Sequence, residues 1–393
     1  MKKKLGILLT HPIQYYSPLF RCLSKVPDLE TIVFYCHQPS PTERGVGFGV
    51  PFDWDVDLLS GYRYRFLNNI SAHPNLLSFG GCDTPEIRTI IEKEKFNFFM
   101  VTGWATKSMW QAMRACWRSQ TPLVARGDST LNSERGFLKK IAKRLLYPFF
   151  MSRFHACMTV GKRSREYFSF YGAKKIINSP HFVDNEFFGK ISSEAKTNQE
   201  SLKKKWAINP SDFVFLFVGK FEAKKRPMDI LKALKNIVEG SKTHRRLHLL
   251  MVGDGLLKKQ CEAFTVEHRL PVSFTGFMNQ SEIAKAYAVS DCLILPSDGR
   301  ETWGLVVNEA MACGVPAIVS DQVGCAPDLV KEGKTGLIFK CGDVLGLSGA
   351  MVKMANVSDL SIFRGALKNL IKDYSVEKAC RVITDEVLVY NFS

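Results

Sequence analysis

The chain has 393 residues, 46% hydrophobic and 23% charged, which are globular values; at roughly 150 to 200 residues per domain the length points to two α/β domains. No run reaches the roughly 18 uninterrupted apolar residues of a membrane span, so a soluble bilobal protein is expected. With 54 Lys and Arg against 38 Asp and Glu the formal net charge is +16, which points to an acidic partner: nucleic acid, an anionic membrane surface or a phosphorylated ligand.

The opening MKKKLGILLTHPIQYY has the basic start of a secretory signal, but its apolar run stops at Leu9, before His11, Pro12 and Gln14. It is expected to be a first buried strand. TIVFYC, NFFMVTG and TPLVARG follow as short apolar runs ending in polar or glycine turns, and TKSMWQAMRACWRSQ has helical periodicity; this is the punctuation of a parallel sheet. GVGFG at 45–49 reads as a mobile loop. DWDVD at 53–57 alternates acid and apolar residues, the pattern of a strand with one polar face.

The segment ERGFLKKIAKRLLYPFFMSRF interleaves Arg135, Lys139, Lys140, Lys143, Arg144 and Arg153 with Phe137, Leu138, Ile141, Leu145, Leu146, Phe149 and Phe150. Such a helix either lies on an anionic membrane or packs on the sheet with its lysines in water. Near 185–205, NSPHFVDNEFF gives way to a polar stretch without apolar period, SSEAKTNQESLKKKW, where the interdomain linker is placed. The expected division is a first domain over 1–188, a second over 189–372, and a C-terminal helix over 373–393 crossing back to the first. Eleven cysteines occur without a CxxC pair, so a cysteine-held metal is not expected and a reducing cytosol is the simplest home.

In the second half DFVFLFVG, RLHLLMVG, LPVSFTG, DCLILP, GVPAIVS and TGLIF alternate with amphipathic stretches, a second doubly wound unit. Ligands of such units gather at the carboxyl ends of strands, where helix N-termini offer free N–H groups. DCLILP is then a strand, SDGRETW a loop, and GLVVNEAMACG a helix running from Gly304 to Gly314. Gly304 would let a phosphate reach the N–H groups of Leu305 and Val306, with Glu301 beside a sugar on that phosphate and Glu309 at a ribose. The alternative is a capped amphipathic helix whose glutamates face solvent. FVFLFVGKFEAKKRP adds Lys220, Lys224 and Lys225 after a strand end, positioned to clamp a diphosphate as point charges.

VGKFEAKKRP, LLMVGDGLL, FTGF, the Glu301 to Glu309 spacing and GCAPDLVKEGKTGLIF, in that order, resemble the nucleotide-sugar half of the retaining glycosyltransferases of family 4, which have the GT-B fold of two Rossmann-like domains facing a cleft. The resemblance implies that Lys220 and Lys225 hold the donor diphosphate, that Glu301 contacts the donor sugar and Glu309 the ribose, that Gly304, Leu305 and Val306 meet the phosphates, and that Phe277 and Met278 lie in the base-contacting segment. Lysine at 220 stands where that family more often has arginine, keeping the charge and losing the bidentate fork. THPIQYYSP falls where the family places a loop over the reaction centre, making His11, Gln14 and Tyr15 candidates for donor or acceptor contacts. Arg126 and Asp128 of VARGDST lie where relatives carry a histidine or aspartate near the anomeric carbon. Paired aspartates such as those of DWDVD bind a metal-diphosphate in the other large fold, GT-A; with the diphosphate already provided for, the strand reading is preferred and neither metal nor cofactor is expected beyond the nucleotide-sugar co-substrate.

The resemblance implies retaining transfer of a sugar from a nucleoside diphosphate to a hydroxyl, with Glu301, Lys225, Lys220 and Asp128 as the catalytic set. The acceptor, a glycan or lipid-linked glycan, is expected on the first domain, and surface polysaccharide or lipopolysaccharide assembly follows if the basic helix meets a membrane. A nucleotide-sugar binding protein without transferase activity and a GT-B epimerase are the rivals. Nucleic-acid binding ranks last for want of a reading module.

Overall fold

The computed structural model describes residues 2–45, 49–132, 137–241 and 243–389, with the side chains of 137–140 outside the description. The first parallel sheet comprises β1 (Lys3–Leu9), β2 (Leu29–Tyr35), β3 (Arg63–Phe66), β4 (Phe98–Val101), β5 (Leu123–Gly127), β6 (Ala156–Thr159) and β7 (Ile176–Asn178). Its order is β3-β2-β1-β4-β5-β6-β7. The second comprises β8 (Phe213–Val218), β9 (Leu247–Val252), β10 (Val272–Gly276), β11 (Cys292–Leu295), β12 (Ala317–Ser320) and β13 (Gly336–Phe339), in the order β10-β9-β8-β11-β12-β13. In each sheet the order reverses beside the first strand of its unit, at β1/β4 and β8/β11, which opens a crevice at the carboxyl ends of the strands. The two crevices face each other.

The central strands are apolar runs because helices cover both faces: β8, FVFLFV, is buried at every position. The first sheet separates two cores, one built on Phe34, Phe99 and Phe168 and the other on Ile7, Val33 and Met158. The last helix, Val376–Val389, joins the second of these through Ala379, Cys380, Ile383 and Val387, packing on the helix Tyr16–Ser24 of the first domain.

Two sequence expectations change. The segment read as a polar linker forms two helices, Asn185–Lys196 and Gln199–Lys205, the first packed on the second domain against the helices Gln280–Ala288 and Leu305–Ala312. Its polar residues cover one side, while Phe188, Ser192 and Ala195 supply a narrow buried stripe. DWDVD is not a strand: residues 51–60 are irregular. Phe52, Trp54 and Val56 are half-buried between exposed acids, so the alternation is real, but it contacts the second domain in place of a neighbouring strand. The loop read at 45–49 falls largely outside the described residues, which omit 46–48.

The basic helix spans Phe137–Met151. Arg135 lies outside the described residues, as do the side chains of Phe137, Leu138, Lys139 and Lys140. Phe150 and Met151 pack inward, and Lys143 is buried, donating to the Tyr167 hydroxyl at 2.7 Å and lying over the rings of Tyr147, Tyr167 and Tyr171. The opposite side exposes Ile141, Leu145, Leu146 and Phe149. Among the described residues no helix is long and apolar enough to cross a membrane.

Candidate active site between the two domains

The centre of the cleft is the helix Leu305–Ala312, which starts at Gly304 with φ 100°. That conformation is open to glycine, and a Cβ there would come within 2.8 Å of Leu295 Cδ2. As first-turn amides, Leu305 and Val306 have no carbonyl partner within the helix and present a partial positive charge. Lys225, in the turn after β8, forms an ion pair with Glu301, and both side chains are 13% exposed. Lys225 also passes beside Gly219 at the end of β8. Burial, partly offset by Glu222 and reinforced by Lys224 and Lys225, holds the Lys220 ammonium below the ordinary lysine value.

Glu309 does not face solvent. It is 2% exposed, accepting hydrogen bonds from Tyr15 Oη at Oε1 and Tyr287 Oη at Oε2, both 2.8 Å. Burial raises its carboxyl to about 7 against the two hydroxyls and Lys225, which favour the ionised form. The alternative of a solvated, merely amphipathic helix is thereby set aside. Tyr287, on a helix that reads as plain apolar packing, was not legible as a site residue; a tyrosine on an otherwise alanine-rich buried face was its one signal.

Phe277 and Met278 line a cavity of about 140 Å³ with Gly219, Gly253, Val306, Glu309, Tyr15 and Trp54. Gly253 has φ 128°, and a Cβ on it would overlap the carbonyl oxygen of Gly219, so the ends of β8 and β9 approach closely only because Gly253 is bare. His11 lies instead in an adjoining cavity of about 310 Å³ with Gln14, Arg44, Trp54, Leu76 and Lys220. Burial, with His37 and Arg44 nearby, lowers His11 to about 4, which leaves it neutral at pH 7 and able to accept as well as donate. Lys220 and Lys225 thus flank the site on two sides, one lining the first-domain cavity and the other paired with Glu301.

Asp128 accepts from Thr302 Oγ1 at 2.6 Å across the cleft, one residue from Glu301. Arg126 turns away from the cleft. It is 2% exposed, donating to Tyr16 Oη at 2.7 Å and to the carbonyls of Ser179 and Pro180 at 3.3 and 3.0 Å, and so fixes the chain where it crosses between domains. Asp328, within the GCAPDLV motif but given no role by it, accepts from the Lys162 amide at 3.0 Å and Tyr374 Oη at 3.2 Å. Among the described residues no group of three or more His, Cys, Asp or Glu is placed to hold a metal.

Residues 198–359 match the model of the family Glycosyl transferases group 1. An N-acetyl-alpha-D-glucosaminyl L-malate synthase of Bacillus anthracis is 32% identical over 169 residues, covering 42% of each chain, so this protein aligns with less than half the length of that relative. An alpha-1,4-N-acetyl-D-galactosaminyltransferase of Campylobacter jejuni, named for a PP-undecaprenol-linked glycan, is 25% identical over 259 residues, 64% of this chain and 63% of its own. Among solved structures, Anabaena HepE in complex with UDP superposes with TM-score 0.71 at 17% identity, over 99% of this chain and 100% of that one. The chain therefore has the GT-B fold, and the stretch that carries Lys220, Lys225, Glu301 and Glu309 is the part that matches the glycosyl transferases group 1 model.

Proposed function

We propose that this protein is a retaining glycosyltransferase that moves a sugar from a nucleoside diphosphate to a hydroxyl of a glycan or lipid-linked glycan. The observation that carries the reading is the meeting, in one interdomain cleft, of the Lys225–Glu301 pair, the Gly304 helix start and the buried Glu309. The diphosphate would lie over the amides of Leu305 and Val306 with Lys225 and Lys220 beside it, and charge growing on it as the glycosidic bond breaks would meet fixed positive groups. The reading assigns no step to a metal. Glu301, released from part of its hold on Lys225, accepts sugar hydroxyls, and Glu309 accepts those of the ribose. Asp128, held by Thr302, stands on the acceptor side of the same gap.

Attack from the face that the diphosphate leaves would retain configuration, a phosphate oxygen taking the acceptor proton. The relative named for a PP-undecaprenol glycan and the apolar row Ile141, Leu145, Leu146 and Phe149 beside Arg144 support a lipid-linked acceptor, an anionic membrane surface and a place in surface polysaccharide or lipopolysaccharide assembly. The localisation that goes with this is cytoplasmic, peripheral on the inner face of the membrane.

The test is thermal shift with a panel of nucleoside diphosphates on the wild type, Lys225→Ala and Glu309→Ala, since a ligand of the native state raises the melting temperature by mass action. A shift in the wild type that both variants lose supports the donor site. A folded wild type indifferent to every nucleotide sinks it.

A further inference from the structure

The irregular loop at residues 52–55 belongs to the first domain but is fastened to the second. Asn279 Nδ2 donates to the Asp53 carbonyl at 2.6 Å, and the Ser281 amide donates to Asp55 Oδ2 at 3.0 Å, with the Ser281 hydroxyl on the same oxygen. The ring of Phe52 lies 4.3 Å from that of Phe277 at an interplanar angle of 33°, and Trp54 meets Phe52 edge-on at 4.9 Å. These contacts bring Trp54 to the cavity formed by Gly219, Gly253, Phe277, Met278, Val306 and Glu309. Trp54 also lines the adjoining first-domain cavity, as Gln14 does, so these two side chains lie between the cavities and Trp54 is the aromatic one.

The size of the inner cavity matters. At about 140 Å³ it matches the cavity of about 150 Å³ that accepts one benzene ring in a protein interior. Its lining includes Glu309, the carboxylate given to the ribose in the reading above, on which the present inference rests. A ring attached to that ribose would enter between the bare strand ends and the indole, where stacking on an aromatic face favours it. We propose that Trp54 selects the nucleobase: it walls the base cavity down to one ring, so that pyrimidine nucleoside diphosphates bind and purine ones are turned away. The selecting side chain comes from the domain opposite to the phosphate clamp, so base recognition requires the loop to be docked through Asp53 and Asp55.

The experiment is calorimetric titration of the full chain with UDP, CDP, ADP, GDP and inorganic pyrophosphate, on the wild type, Trp54→Ala, Trp54→Phe and Asp55→Ala, each first checked by its thermal melt. The wild type should prefer the pyrimidine diphosphates by about tenfold or more. Trp54→Ala should lose most of that preference through weaker pyrimidine and stronger purine binding, with pyrophosphate unchanged; Trp54→Phe should fall between, and Asp55→Ala should follow Trp54→Ala. A wild type that binds purines as well or better, or a folded Trp54→Ala or Trp54→Phe with the wild-type ranking, overturns the inference and leaves the donor site standing. A wild type that binds neither nucleotide nor pyrophosphate overturns both.

Discussion

The Tyr15 hydroxyl of the first domain bonds Oε1 of Glu309 in the second at 2.8 Å, while Tyr287 occupies Oε2. The carboxylate given to the ribose is thus already spanned by two phenols, one from each domain. A ribose hydroxyl must share or replace the Tyr15 bond, which links donor binding to the closure of the cleft. Tyr15→Phe should preserve the fold and alter nucleoside diphosphate affinity by about threefold to tenfold, on the scale of one ordinary net hydrogen bond; titration calorimetry reads it, and an unchanged affinity would place the ribose elsewhere.

Glu309 also sets a pH dependence. Its carboxyl is raised from the ordinary 4.5 to about 7 by burial, so the native state holds a proton there that the unfolded chain releases. The stabilisation is full below 4.5 and is lost as pH rises through about 7, with an upper bound of about 3 kcal/mol at about 1.4 kcal/mol per unit. Melts of the ligand-free protein between these values should fall with pH more steeply than those of Glu309→Gln. Identical slopes would show that the carboxyl titrates normally.

Lys225 and Glu301 form a nearly buried pair, so removing one partner strands the other. Lys225→Ala should cost about 3 kcal/mol of stability and abolish diphosphate binding. The double variant Lys225→Ala, Glu301→Ala should recover much of the stability and none of the binding. Recovery of both would make the pair purely structural.

Gly253→Ala should destabilise by about 2 kcal/mol or more, because φ 128° is hostile to a side chain and the Cβ would overlap Gly219. Nucleotide binding should fall with it, since the ends of β8 and β9 form the floor of the base cavity. Denaturant melts and nucleotide titration together check this. A fully stable variant with normal binding would mean that the strand ends separate freely.

Leu145, Leu146 and Phe149 are 65%, 66% and 77% exposed. Replacing all three with serine should leave the melting temperature within a few degrees and abolish cosedimentation with vesicles rich in anionic lipid at low salt. Should the wild type itself remain in solution, the membrane reading falls.

The sequence by itself determined the strands and their class. β1, β2, β4, β5 and all six strands of the second sheet stand out as apolar runs ended by glycine or a polar turn, because a strand covered on both faces has no use for polar residues. The short β3, RYRF, the four-residue β6, ACMT, and the three-residue β7 are not among those runs. The ordered motifs around Lys220, Lys225, Glu301 and Glu309 were legible too, since helix starts and strand ends are local events written in glycine spacing.

Only the tertiary structure decided which side chains meet. Glu309 is eight residues from Glu301 in the chain, yet its state depends on Tyr15, 294 residues away. Arg126 and Asp128, two residues apart, part company because one is drawn to the carbonyls of Ser179 and Pro180 and the other to Thr302. DWDVD carries the alternation of a strand, but Asp53 and Asp55 meet Asn279 and Ser281 across the cleft, beside the contact of Phe52 with Phe277. Alternation records which residues are shielded, and no local pattern says what shields them.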